Sequence, residues 1–287
     1  MRYSIRREQV AIKRSKGADG VETAFLAREI RSPHVIQIRE YFFLPDSRGS
    51  GESFQVMPQV RAELQKLLDM GYRFNLNTAY WEILRGLRDI HAAGIVHRDL
   101  KPGNVMVTND GHMQIIDFDR AIKVGRINQV TYTGTPGYVA PSKILAPSLI
   151  PLWPCVNGIR DSSEPIRLLP QYDDWKAEVF SAGMTYLAMA EPERMNRDSY
   201  LQKLWKVLIQ VRQTRSGEFL IDEEQTNSGR LLVDLDRHTV YQILTKALGD
   251  RWNPPMRQLL SQVLCGEDQR LTLEFYRQFC RYSGLAV

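Results

Sequence analysis

His97-Arg98-Asp99-Leu100-Lys101-Pro102-Gly103-Asn104 is the stretch on which the fold turns. Two short apolar runs flank it, Ile95-Val96 before and Val105-Met106-Val107 after, so the polar segment reads as a loop between two short strands. Asn109-Asp110-Gly111 is a hairpin turn signal, and Met113-Gln114-Ile115-Ile116 is the strand that returns from it. Asp117 follows that strand. The hairpin therefore carries Asp117 back beside the loop, and Asp99, Asn104 and Asp117 converge at one mouth. Oxygen donors of this kind suit Mg²⁺, which takes one or two carboxylates and completes its shell with water and phosphate oxygens. Lys101, two residues after Asp99, offers a cation to a transferring phosphoryl group. Singly, each residue reads as a polar turn residue; together they make a site for a metal ion and a phosphoryl group.

Upstream, Val10-Ala11-Ile12-Lys13 reads as a strand. Val21 to Ile30 has helical spacing and stops at Ser32-Pro33, because proline pushes the residue before it out of the helical region. Val35 to Ile38, Tyr41 to Leu44 and Phe54 to Met57 look like strands, with a loop over Pro45 to Glu52. Leu64 to Leu68 and Thr78 to Ala93 read as helices, the second with Trp81, Leu84, Leu87 and Ile90 on one face and Gly94 as C-cap. From about residue 175 onward helices dominate. A small strand-rich part precedes a large helical part.

The chain has 287 residues, 43% hydrophobic and 25% charged, ample for a core in one large domain or two lobes. The formal charge of +5 is spread along the sequence, and no basic stripe marks a nucleic-acid partner. Cys155, Cys265 and Cys280 are odd in number and lack metal-ligand spacing, which fits a reducing compartment. No apolar run approaches a membrane span, and the first residues lack the apolar core of a signal peptide, so an intracellular location, cytoplasmic or nuclear, is expected.

The segment 97–104 resembles the catalytic loop of the eukaryotic-type protein kinase family, and Lys101 resembles the lysine of its Ser/Thr branch. Asp117-Phe118-Asp119 is similar to Asp-Phe-Gly, and Val10-Ala11-Ile12-Lys13 to the family's strand motif that carries the phosphate-binding lysine. Gly134-Thr135-Pro136-Gly137-Tyr138-Val139-Ala140-Pro141 resembles the end of an activation segment, and Gln269-Arg270-Leu271-Thr272 a late motif with a buried arginine. The resemblance implies an α+β, bilobal fold: a small N-lobe over residues 1–60 and a mainly helical C-lobe over 61–287. It implies transfer of the γ-phosphate of ATP to Ser/Thr hydroxyls of protein substrates. Lys101 and Gly134-Thr135-Pro136 speak for protein rather than small-molecule acceptors. Oligomeric state is not legible.

By the same resemblance, Asp99 would accept the substrate hydroxyl proton, Lys101 would stabilise the γ-phosphoryl charge, and Asn104 and Asp117 would hold Mg²⁺. Lys13 would meet the α- and β-phosphates and pair with a helix glutamate, for which Glu22 is the candidate and Glu29 the runner-up. Met57, Pro58, Gln59 and Val60 align with gatekeeper and hinge. Pro58 lacks an N–H but keeps the carbonyl that adenine would use. Glu63 is a ribose candidate. Ala11 and Met106 would enclose adenine, although plain core packing accounts for them equally. Thr131 would be an activation phosphosite paired with Arg98, and Thr135 would bond Asp99 and Lys101.

The pattern departs from the family in several places. No Gly-x-Gly-x-x-Gly stands among the nine residues before Val10, which implies an N-terminally shortened chain or a degenerate kinase; the intact chemical residues favour the first. Asp119 replaces a glycine, Ser142 a glutamate expected opposite Arg270, and Glu178 an aspartate that anchors the catalytic loop. A proline-studded insertion is expected at about 143–172, roughly 20 to 25 residues beyond the usual connection, and could shape substrate docking. These departures keep a pseudokinase or scaffold role open beside the enzymatic one.

Overall fold

A computed structural model describes residues 9–17, 19–47, 51–124, 134–140, 174–191, 211–213, 219–221, 236–248, 253–265 and 278–281. Thr131, Ser142, Arg270 and the insertion at 143–172 lie outside the described residues.

Three antiparallel strands open the fold: β1 (Val10–Lys16), β2 (Glu40–Pro45) and β3 (Gly51–Pro58), in the order β1-β3-β2. Helix α1 (Asp19–Glu29) packs on this sheet. The loop predicted over Pro45 to Glu52 is shorter than expected, because the ladder runs on to Pro45 opposite Gly51. A side chain at Gly51 would run into the Leu44 carbonyl, so the close pairing there depends on glycine. Val35 to Ile38 is extended but is not a strand of the sheet. Its one bridge is parallel, Val35 to Ile115, and Arg39 N–H donates to Val56 O at 2.8 Å. Hydrophobic alternation alone does not separate such a crossing segment from a paired strand.

The chain then crosses at residues 58–61. Gln59 N–H donates to Gln9 O at 3.3 Å, and Arg61 N–H donates to Val107 O at 2.9 Å, so this short connection is bonded to both sides. Beyond it lie β4 (Ala62–Glu63), α2 (Leu64–Asp69) and α3 (Leu76–Ala92). Asn75 caps α3 by accepting from Thr78 N–H at 3.1 Å, satisfying one orphan donor of the first turn. Gly94 ends it with φ 73° and a bond from its N–H to His91 O at 2.9 Å. The buried stripe of α3 is centred on Tyr80, Ile83, Leu84, Leu87 and Ile90, with Trp81 at its half-buried margin rather than in its middle.

Short strands β5 (Ile95–Val96), β6 (Val105–Val107), β7 (Met113–Ile115) and β8 (Ile122–Lys123) carry the loops of interest. β6 and β7 form the predicted hairpin, with Gly111 at φ 86° in its turn. β5 pairs with β8, and β4 joins the edge of β6. Helix α4 (Asp174–Ala190) is buried from Ala177 to Met189, the pattern of a helix at the centre of a core. Tyr80 Oη ties α3 to it by donating to Ala182 O at 2.6 Å. A two-stranded pair, β9 (Val211–Gln213) and β10 (Phe219–Ile221), precedes α5 (Arg237–Leu248) and α6 (Pro254–Leu264), and α6 packs on both α5 and α4. The arrangement is mixed α+β, a small sheet region beside a large helical one. Among the described residues, no helix is long and apolar enough to cross a membrane.

Candidate active site

The loop 97–104 is held from beneath by one buried carboxylate. Glu178 Oε1 accepts from Arg98 N–H at 2.7 Å, and Oε2 accepts from His97 N–H at 3.2 Å and lies 2.6 Å from His91 Nε2. These bonds fix Arg98 at φ 67°, a left-handed conformation that a non-glycine residue holds only when its surroundings insist. The extra methylene of glutamate is accommodated, and His91 at the end of α3 joins the network. No local sequence signal connects residues 91 and 178. His97 bridges to the neighbouring strand: its Nε2 donates to Ile116 O at 2.7 Å, and its Nδ1 accepts from Asp99 N–H at 3.3 Å.

Asp99 is buried and fully engaged. Its Oδ1 accepts from Thr135 Oγ1 at 2.7 Å, and its Oδ2 accepts from Asn104 Nδ2 at 3.0 Å. Lys101 Nζ lies 3.3 Å from Oδ2 and also donates to Thr135 Oγ1 at 2.6 Å. Thr135 thus joins Asp99 and Lys101 through one hydroxyl. Arg120 adds a cation that the sequence reading did not single out: its Nε is 3.8 Å from Asp99 Oδ2, and its Nη1 donates to Gly134 O at 3.0 Å.

Asn104 spends both amide hydrogens on Asp99, on the carbonyl at 2.8 Å and the carboxylate at 3.0 Å. Its side-chain oxygen is thereby turned away from Asp99. Ile116 N–H donates to Asn104 O at 2.9 Å, which draws the end of β7 against the loop. Asp117 follows at φ 67° and ψ 71°. An amide oxygen and a carboxylate of this kind are the hard donors that Mg²⁺ takes, so Asn104 and Asp117 fit the ion.

Lys13 comes from β1 and meets the same region. Its Nζ lies 2.5 Å from Asp117 Oδ1 and 2.7 Å from Asp119 Oδ1. Burial alone would raise the Asp117 carboxyl, but the bond and charge of Lys13 outweigh it and hold the group below its ordinary range. Burial likewise opposes the charge on Lys13, yet the two aspartates keep its pKa above the usual lysine value.

Glu22, expected to pair with Lys13, is not brought there. It lies on the exposed face of α1, while the inward position is Thr23, whose hydroxyl accepts from Gln55 Nε2 at 3.1 Å. Helical geometry explains the difference: Thr23, Ala24, Leu26, Ala27 and Ile30 form the buried stripe, and residue 22 falls outside it. Glu29, the runner-up, pairs with Lys123 at 2.5 Å. Asp119 sits in a 3₁₀ turn, Phe118–Arg120, and among described non-glycine residues only Arg98 and Asp117 have positive φ. The aspartate in place of glycine therefore carries no left-handed strain. Phe118 beside it is buried and meets the His97 ring edge-on at 5.0 Å.

The adenine candidates are half-buried. Ala11 shares a face of β1 with Lys13 and pairs with Met57. Met57 and Val60 pack against the core, and Met106 pairs with Glu63 and Gln114. Glu63 Oε2 lies 3.3 Å from Lys66 Nζ.

A family model described as Protein kinase domain matches residues 6–279. Mitogen-activated protein kinase 13 of Mus musculus is 35% identical over 138 residues, 47% of this chain and 36% of that protein. Mitogen-activated protein kinase p38a of Drosophila melanogaster is 32% identical over 134 residues, 45% of this chain and 35% of that protein. Mitogen-activated protein kinase 12 of Homo sapiens is 36% identical over 124 residues, 42% of this chain and 33% of that protein. The chain spans about a third of the length of these relatives. Because the family match runs almost end to end and contains the loop, the Asp-Phe segment and the threonine whose bonds are described above, the chain belongs to the protein kinase family.

Proposed function

We propose that the chain is an ATP-dependent protein kinase that phosphorylates Ser/Thr hydroxyls of protein substrates. The observation that carries this reading is the Asp99 carboxylate, buried on a fixed loop, bonded to Thr135 and Asn104 and 3.3 Å from Lys101 Nζ. A carboxylate so held can orient a substrate hydroxyl and take its proton as the bond to phosphorus forms. Lys101, already beside that carboxylate, places positive charge where the transferred group gains negative charge. Lys13 would hold the α- and β-phosphates. Asn104 and Asp117 would hold Mg²⁺, which when bound neutralises phosphate charge. Ala11, Met57, Val60 and Met106 would enclose adenine between the sheet part, residues 1–60, and the helical part, residues 61–287. Thr131 would be the activation phosphosite with Arg98 as its partner, and an intracellular protein pool would supply the acceptors.

A binding-only role draws on one specific observation: Lys13 sits directly on Asp117, so the two charges proposed to serve phosphate and Mg²⁺ already neutralise each other. Incubation with labelled Mg-ATP and a generic basic protein, followed by analysis of the labelled amino acid, separates the readings. Phosphoserine or phosphothreonine above the level given by Asp99→Asn supports the enzyme. Label equal to that of Asp99→Asn supports the binding-only role.

A further inference from the structure

Lys13 has a long side chain with much rotamer freedom, so it grips phosphate well only if something fixes its direction. Among the described residues, helix α1 does not supply the carboxylate. Of its two glutamates, Glu22 faces solvent and Glu29 is paired with Lys123. The inward position is the uncharged Thr23, locked to Gln55, whose backbone pairs with that of Lys13 itself. Two carboxylates remain on Lys13, Asp117 at 2.5 Å and Asp119 at 2.7 Å. Asp117 is the group the proposed function commits to Mg²⁺, which leaves Asp119.

We propose that Asp119 is the positioning residue for Lys13, holding its ammonium toward the nucleotide phosphates in place of a glutamate from α1. The proposal rests on the kinase reading of this site. Its support is geometric. The turn 118–120 packs against α1, Phe118 anchors it in the core, and Asp119 occupies an unstrained backbone position from which it reaches Lys13 without any movement of the helix. An aspartate in this place ties the lysine to the same short segment that carries Asp117. The lysine's direction would then be set by the Asp117–Asp119 segment rather than by α1.

Two measurements test this. The first is the affinity for ATP, with and without Mg²⁺, together with kcat and KM, for the wild type, Asp119→Asn, Asp119→Glu and Glu22→Gln. The expected result is about tenfold weaker ATP binding and higher KM in Asp119→Asn. In that variant kcat at saturating ATP should change little, and Asp119→Glu should recover most of the affinity. Unchanged or tighter binding in Asp119→Asn overturns the proposal, as does a loss that appears in Glu22→Gln instead. The second needs no nucleotide: a thermal double-mutant cycle of Lys13→Met and Asp119→Asn. Non-additive shifts support the pairing, and strictly additive shifts overturn it. A wild type that binds no ATP would sink the kinase reading, and the cycle would still decide whether Asp119 holds Lys13.

Discussion

Thr135 contributes a single hydroxyl that donates to Asp99 and accepts from Lys101. Its removal should misplace Asp99 and Lys101 together while leaving Lys13 and the half-buried residues around β1 and 57–60 in place. Thr135→Val is expected to lower kcat about a hundredfold, with KM for ATP nearly unchanged, the split of an interaction made in the transition state. Thr135→Ser should restore most of the rate, and steady-state kinetics on the three proteins checks both. Glu178 acts at the same scale but on stability. It is buried and accepts from two backbone N–H groups of the loop, so Glu178→Ala leaves both without a partner. The expected loss is about 3 kcal/mol, seen as a Tm lower by roughly 6 to 12 °C. The sequence shows that Asp99, Asn104, Lys101 and Thr135 lie in one order. It does not show that His91 completes the Glu178 network or that Arg120 approaches Asp99, because those contacts join residues with no fixed spacing between them.

Among elements, α3 shows what close packing demands. A side chain at Gly86 would meet the His34 carbonyl at 2.6 Å and Ile115 Cδ1 at 3.1 Å, so α3, the segment at 34–36 and β7 approach through that glycine. Gly86→Ala should destabilise by about 1 to 3 kcal/mol through forced backbone movement, despite the better helix propensity of alanine. Urea denaturation of the two proteins measures it. His34 in the same contact is buried, and desolvation holds its pKa below the ordinary 6.5 although Glu82 lies near. Its folded state therefore binds a proton later than the unfolded chain does. The stability it contributes is present above the unfolded pKa and is lost as pH falls through 6.5 toward the folded value. Wild type should weaken as pH falls below 6.5, and His34→Gln should show a shallower slope there. Long periodic elements such as α3 and the hairpin of β6 and β7 were legible from spacing and turn residues. The facing of α1 was not, because its glutamates flank the buried stripe and only the packed helix shows which position points inward.

For the whole molecule, a nucleotide bound by the folded chain should stabilise it. Mg-ATP at about a hundred times its Kd should add about 2.7 kcal/mol, raising Tm by roughly 5 to 10 °C, and Lys13→Met should remove most of that rise. The sequence reading of a small strand-rich part followed by a large helical part matches the observed element order. The connection at 58–61 was legible as a hinge, but its bonds to both sides were not, because its partners Gln9 and Val107 lie at opposite ends of the segment around it. Asp99 is proposed to serve phosphoryl transfer in this chain. Single-turnover transfer of the γ-phosphate from bound ATP to a protein acceptor, with wild type and Asp99→Asn at equal ATP occupancy, tests it most directly. If Asp99 serves the transfer, wild type runs at least about a hundredfold faster than Asp99→Asn; equal rates in the two proteins would rule that role out.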